Sequence, residues 1–239
     1  MKFLVVSPSQ LEGPRVTFTD EQQRYLGKVL RLREGDSVEV VVAGQGRALT
    51  GRLEPARKHA LALLVTDERP LPPPARPALG LAVGLIKQPR LEAVVRMATE
   101  LGVARLALLA CERAVVDWSE GGRESRLAEI AVSACQQSGN PYPPVIEPPV
   151  PVAAFVETER RRATLVIAVA AGGSALSDLS VPREDLTLMT GPEGDFTPAE
   201  RAAAEDAGAY PLTLSGHVLR AESASLVLAA LFLDRLGRL

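Results

Sequence analysis

In the first third of the chain, apolar positions come in short runs broken by turn residues. KFLVV (2–6), DSVEVVVAG (36–44), GRALTGRLE (46–54) and HALALLVTD (59–67) each read as a strand, with Gly35-Asp36, Gly44 and Gly46 as punctuation. That rhythm predicts a small β-barrel. One helical segment interrupts it, TDEQQRYLGKVLR (19–31), opened by Thr19 with Gln22 placed for a capping box. Beyond residue 77 the pattern changes to strand and helix in alternation. ALGLAVGLI (78–86), ARLALLA (104–110), ATLVIAVA (163–170), LTLMT (186–190) and YPLTLS (210–215) read as strands. PRLEAVVRMATELG (89–102), RESRLAEIAVSACQQSG (123–139), TPAERAAAEDAG (197–208) and AESASLVLAALFLDRLGRL (221–239) read as helices. Thr197, Pro198 and Glu200 are a full start signal, and Gly102, Gly139 and Gly208 are stops. Continuous apolar strands alternating with helices predict an α/β unit: a mainly parallel sheet with helices on both faces.

Between the two patterns lies RPLPPPARP (69–77), five prolines in nine residues. It reads as a semi-rigid hinge. The predicted organisation is therefore a barrel over 1–69, a hinge over 70–77 and an α/β domain over 78–239.

Composition narrows the chemistry. Hydrophobic residues make up 46% of the 239 positions and aromatic residues 4%, so the core is built of Leu, Val, Ile and Ala. The net charge of −2 divides unevenly. Residues 1–69 hold 11 basic and 9 acidic side chains, and the remainder 16 and 20. Arg24, Lys28, Arg31 and Arg33 cluster on the first helix and the turn after it, which is either a solvated face or a phosphate-binding patch. Cys111 and Cys135 form no metal-ligand or disulfide framework, and the two histidines, His59 and His217, lie in different segments. No metal is expected. No apolar run is long enough to span a bilayer and the start lacks a secretory pattern, so a cytoplasmic location is expected.

In parallel sheets, ligands bind beyond the carboxyl ends of strands. Three glycine-bearing segments follow strands here: AAGGSA (170–175), GPEGDF (191–196) and SGHVLRAE (215–222). Each is either a plain turn or a ligand loop. Neither of the common glycine-rich phosphate motifs is present, and Glu193 and Asp195 would repel a phosphate at short range. The loop suits a neutral or cationic ligand.

The pattern GPEGDFTPAE (191–200) followed by LSGHVLRAESA (214–224) resembles the SPOUT class of trefoil-knotted RNA methyltransferases. With ATELG (98–102), YLGKVLRLREGD (25–36), ERAVV (112–116) and QQSGNPYPP (136–144) in order, nearly the whole chain resembles the 16S ribosomal RNA (uracil-1498-N3)-methyltransferase family. That resemblance implies a SPOUT-type knotted sheet preceded by a PUA-like RNA-binding barrel. It implies S-adenosyl-L-methionine as cofactor and 16S rRNA in the small ribosomal subunit as substrate. It also implies a homodimer. It assigns the cofactor to Gly191, Pro192, Glu193, Gly194, Leu214, Gly216, Val218 and Leu219, with Gly191 and Gly194 admitting the ligand. Arg220 takes a charge-stabilising role and Glu222 an orienting or base role, or the two form a structural pair. Arg24, Lys28, Arg31, Arg33 and Arg113 would meet RNA. The sequence departs from the family where Asp195 replaces a glycine, Asn140 an arginine and Met97 a lysine. Ser215 and His217 stand for a glycine and an arginine. Two other readings share these motifs: a SPOUT methyltransferase acting on tRNA or 23S rRNA, and a non-catalytic RNA-binding assembly factor.

Overall fold

The computed structural model describes residues 4–56, 60–116, 118, 123–180, 184–214 and 216–239; His59 and Ser215 lie outside them. The chain divides into two compact units. The first holds residues up to Pro73 together with Val132–Pro143, and the second holds Pro74–Ala131 with Pro144–Leu239. The segment 132–143 thus joins the first unit, although the sequence reading placed all of 78–239 in one domain.

The first unit is a curled six-stranded sheet. Its strands are β1 (Leu4–Val6), β2 (Leu11–Glu12), β3 (Arg15–Thr17), β4 (Ser37–Val42), β5 (Arg47–Pro55) and β6 (Leu61–Pro70), in the order β1-β4-β5-β6-β3-β2. Only the β1–β4 pair is parallel. The register of β5 against β6 slips between Thr50 and Gly51. A Cβ on Gly51 would lie 2.0 Å from the Leu64 carbonyl oxygen, so the bulge that curls the sheet requires glycine there. The short helix α1 (Asp20–Arg24) opens with the predicted capping box: Gln22 N–H donates to Thr19 Oγ1, and Thr19 N–H to Gln22 Oε1. It runs into one wide turn, Tyr25–Val29, in which Leu30 N–H reaches back five residues to the Tyr25 carbonyl. Leu26 from that turn fills the sheet core with Val6, Val40, Leu49 and Leu63.

The second unit is a wholly parallel sheet of β7 (Leu79–Gly84), β8 (Arg105–Ala110), β9 (Val145–Pro151), β10 (Thr164–Ala168), β11 (Leu186–Thr190) and β12 (Tyr210–Leu212). The order is β12-β10-β11-β7-β8-β9. Its helices are α2 (Gln88–Glu100), α3 (Arg123–Ser138), α4 (Val152–Glu159), α5 (Pro198–Asp206) and α6 (Ala221–Arg235). Leu79, Leu81 and Val83 of β7 alternate onto one face, where α2, α6 and the first turns of α3 cover them. Ala82 points to the other face, beneath α4 and α5. The later turns of α3 belong to the first unit, where Cys135 packs on Val5 and Ala43.

Both cysteines are free and buried, and burial pushes each thiol up to about 12, so neither is a thiolate at neutral pH. A partly buried charge cluster, centred on the buried Glu159, crosses the second sheet. Arg105 on β8 grips Glu159 at the end of α4 with two bonds of 2.7 and 2.8 Å. Thr187 Oγ1 on β11 donates to the same carboxylate at 2.7 Å, and Glu147 on β9 holds the Arg105 Nε at 2.9 Å.

Candidate active site

Three loops leave the carboxyl ends of β10, β11 and β12 and enclose a cavity of about 360 Å³, within the size range of small-molecule sites. Its walls are Ala168–Ala170 from the end of β10, Thr190–Glu193 and Asp195 from the end of β11, and Leu214 with His217–Ala221 leading into α6. Arg90, from the first turn of α2, and Ala224 complete it.

The β11 loop is a tight turn. Asp195 N–H donates to the Pro192 carbonyl at 2.9 Å, and Asp195 Oδ1 accepts from Phe196 N–H at 2.8 Å. Asp195 has φ +60°, a left-handed conformation that favours glycine. This accounts for the glycine that the resembled family carries here. The α5 cap follows at once, with Thr197 N–H on Glu200 Oε2 and Glu200 N–H on Thr197 Oγ1. Glu200 Oε1 also accepts Glu112 N–H at 2.9 Å, which ties the loop after β8 to the start of α5.

The glycines serve the loop in a way the sequence did not show. A Cβ on Gly191 would meet Asp195 Oδ1 and Phe196 N at 3.0 Å, inside the turn. A Cβ on Gly194 would meet Arg113 Cβ at 3.0 Å and its carbonyl oxygen at 3.1 Å. Gly194 is not on the cavity wall; it lets the loop lie against Arg113, whose Nη1 donates to the Gly194 carbonyl at 3.2 Å. Arg113, which the resemblance assigns to RNA, is bonded to the loop through this one donor. Gly84, at the end of β7, was not singled out by sequence, yet its absent Cβ would lie 2.5 Å from Pro192 N and 2.8 Å from Gly191 C. The loop after β11 is seated on that glycine.

Of the residues expected to hold the cofactor, Gly191, Pro192, Glu193, Leu214, Val218 and Leu219 line the cavity, while Gly194 and Gly216 do not. Arg220 lines it as the exposed residue preceding α6. Glu222 stands behind the wall. Its Oε2 is buried without a hydrogen-bond partner, and its Oε1 lies 3.7 Å from Arg90 Nε. Arg90 also donates from Nη1 to Glu193 Oε1 at 3.0 Å, so one guanidinium joins the β11 loop to the first turn of α6. Thr190 and Ser225 fasten the same two elements through a 2.7 Å hydroxyl contact. Arg201 on α5 holds the β10 loop by donating to the Ala171 and Gly172 carbonyls. Arg24, Lys28, Arg31 and Arg33 are all exposed in the first unit, on α1 and the turns that follow it. Among the described residues, no group of His, Cys, Asp and Glu is arranged to hold a metal.

Replacing Asp195 with glycine is expected to be tolerated. It removes about 1 kcal/mol of left-handed strain and gives up one local hydrogen bond and some unfolded-state restriction, so the terms nearly cancel. Cofactor affinity by calorimetry should stay within about twofold; a tenfold loss would mean the carboxylate itself meets the ligand.

A model of an RNA methyltransferase domain matches residues 73–233, and a model of an RNA methyltransferase PUA domain matches residues 18–65. The ribosomal RNA small subunit methyltransferase E of Synechocystis sp. is 32% identical over 235 residues, covering 95% of this chain and 75% of that protein. The protein of the same name from Rickettsia conorii is 25% identical over 217 residues, covering 89% and 86%. Among solved structures, ribosomal RNA small subunit methyltransferase E from Neisseria gonorrhoeae bound to S-adenosyl methionine superposes with a TM-score of 0.81. It is 26% identical, and the match covers 98% of each chain. A probable rRNA-methyltransferase from Porphyromonas gingivalis superposes at 0.82 with 27% identity, over 97% of each chain.

Proposed function

The chain belongs to the RNA methyltransferase family, and from that premise we propose that this S-adenosylmethionine-dependent rRNA methyltransferase acts on N3 of uridine 1498 of 16S rRNA in the small ribosomal subunit. The observation that carries the reading is the cavity itself. It lies at the carboxyl ends of three parallel strands, and the Gly-Pro-Glu-Gly loop forms one wall. The residues present fit the cofactor: Gly191 lets the loop backbone approach a ligand closely, and Leu214, Val218 and Leu219 offer apolar surface to an adenosine. When bound, the cofactor supplies an electrophilic methyl group for in-line displacement.

The protein's own part is to hold the uracil and manage its proton. N3 of uridine carries a proton that must pass to water before or as the methyl arrives; its loss places negative charge on N3, O2 and O4, and that charge is discharged as the N–C bond forms. Among the described residues, the Arg220 guanidinium makes no ion pair, and it faces the cavity, placed to offset that charge. Glu222 is not on the wall, and its 3.7 Å ion pair with Arg90 supports the orienting role over that of a base. Arg24, Lys28, Arg31 and Arg33 bind phosphates and position the RNA without reading its sequence. A homodimer is part of the proposal. Its support is α6, which is apolar on nearly every side, with Val227 39% exposed and Met97 of the neighbouring α2 43% exposed.

The test is incubation with isotopically labelled S-adenosylmethionine and small subunits from a strain lacking this modification, followed by mass spectrometry of the nucleosides. One N3-methyluridine per subunit is expected; label in any other nucleoside, or none, would sink the assignment. In the same assay, Arg220→Ala should lower kcat about 100-fold, the usual loss for one charge-stabilising donor, while calorimetric cofactor binding persists. An unchanged kcat would remove Arg220 from the chemistry.

A further inference from the structure

The first unit holds a second cavity, of about 300 Å³, in which only the cations Arg24 and Lys28 have so far been given a role, against RNA phosphates. Leu4, Glu21, Gln22, Arg24, Tyr25, Lys28, Val29, Gln136 and Gln137 line it, all within that unit. Three kinds of group meet there. Tyr25 is an aromatic ring backed by the sheet core, so it is held in place. The Gln136 amide is oriented, because its Nε2 donates to the Val5 carbonyl at 2.7 Å; among the described residues nothing donates to its Oε1. Arg24 and Lys28 are exposed cations, and among the described residues neither forms an ion pair.

A ring to stack on, a fixed carbonyl acceptor, a free amide at Gln137, a carboxylate at Glu21 and two unpaired cations form the chemistry that recognises a nucleotide. The ring takes the base face, the acceptors take ring N–H or exocyclic amino groups, and the cations take the flanking phosphates. The volume admits one nucleoside and no duplex, so the nucleotide must be unpaired or turned out of its stack. We propose that this cavity is a reading pocket for a single extruded nucleotide of the substrate RNA, separate from the uridine that is methylated. The proposal rests on the reading of the protein as an rRNA methyltransferase. It adds a base-recognition element to a unit otherwise credited only with phosphate contacts.

Base stacking and phosphate contacts differ in salt dependence. Losing a phosphate contact flattens the dependence of affinity on salt by about one unit of slope, whereas losing a stacked base lowers affinity equally at all salt concentrations. The experiment measures binding of the full-length protein to unmodified small subunits across a salt series, with methylation kinetics in parallel. Tyr25→Leu, which keeps apolar packing against the core, should weaken binding about tenfold with the slope unchanged. Tyr25→Phe, which keeps the ring, should bind like the parent. Arg24→Ala should flatten the slope. For Tyr25→Leu the loss should appear in KM for the subunit, with kcat and cofactor affinity retained. Should Tyr25→Leu unfold, the exposed Gln137→Ala decides on the same readout, with a severalfold loss and unchanged slope expected. Parental affinity in the ring-less or amide-less variant overturns the pocket, as does an effect confined to the slope. If the parent protein itself does not methylate small subunits, the functional reading fails first, and that result is visible before any variant is compared.

Discussion

Gly84→Ala is expected to lower S-adenosylmethionine affinity by about 100-fold or more, even though residue 84 is not on the cavity wall. The added methyl would lie 2.5 Å from Pro192 N, 2.6 Å from Pro192 Cδ and 2.8 Å from Gly191 C. These are backbone and ring atoms that cannot rotate away. The strand is the fourth in a row of six and has neighbours on both sides, so the loop is what must yield. Overpacking of this kind costs about 1–3 kcal/mol of stability, and a displacement of about 1 Å at a binding loop can remove most of its function. Circular dichroism should report a folded protein at 25 °C, and calorimetry should report the lost affinity. Full affinity in Gly84→Ala would show that the loop after β11 can shift without consequence and is not the wall that holds the cofactor.

The largest effect on stability is expected from Glu159→Ala. The Glu159 side chain is 1% exposed, and its loss strips Arg105 of both short bonds and Thr187 of its acceptor. Removing one partner of a buried pair costs about 3–5 kcal/mol, or roughly 10 °C in melting temperature for a chain of this size. Glu147 still faces Arg105, which keeps the figure toward the lower end. The pair also gives the protein an acid limit. Burial pushes the Glu159 carboxyl up, but hydrogen bonds from Arg105 and Thr187, with the Arg105 charge, outweigh it and hold the group below the ordinary carboxylate range. A depressed carboxylate contributes its full stabilisation above its unfolded-state value, and that contribution fades as the pH falls through the lower folded-state value. The stability gap between the parent and Glu159→Gln should therefore be constant above about pH 5.5 and close below it. Thermal melts across that range would show it; a gap that does not depend on pH would mean that the carboxylate is not charged in the folded protein.

Local signals made much of this architecture readable. Thr19 with Gln22, and Thr197 with Glu200, announce their helices because a cap is decided within four residues. The apolar run Leu186–Thr190 is a strand over its whole length because both faces are covered. Strand β9 was not legible, because VIEPPVP carries three prolines and reads as linker; it survives at the edge of the sheet, where a missing N–H is tolerated. The hairpin of β2 and β3 is too short to show a period. In the candidate site the sequence pointed to the glycine loop and to Arg220, since each lies within a continuous motif, GPEGDFTPAE and LSGHVLRAESA. Arg90 and Arg201 could not be found that way. Their partners are 103 and about 30 residues distant, and a single arginine on a helix carries no sign of what it will grip. The segment 132–143 was assigned by continuity with its helix, whereas Cys135 and Gln136 find their partners beside Val5.

The order of the second sheet also dictates when the protein becomes competent during synthesis. β7, β8 and β9 are neighbours in both sequence and space, so they can pair as they emerge. β10 then has no strand to join, because its partners are β11 and β12, both still to come. β11 inserts between β7 and β10 and is the strand that turns two fragments into one sheet. Such late, long-range pairing is slow, and it leaves unpaired edges and apolar faces bare in the meantime. The very next residues after β11 are Gly191 and Pro192. The wall of the cavity is thus laid down in the same stroke that closes the sheet, and α6, which shields one face, arrives later still. A nascent chain stalled before residue 190 holds most of the protein's mass and none of the loop that walls the cofactor cavity, so cofactor capture reports completion of the fold rather than progress towards it.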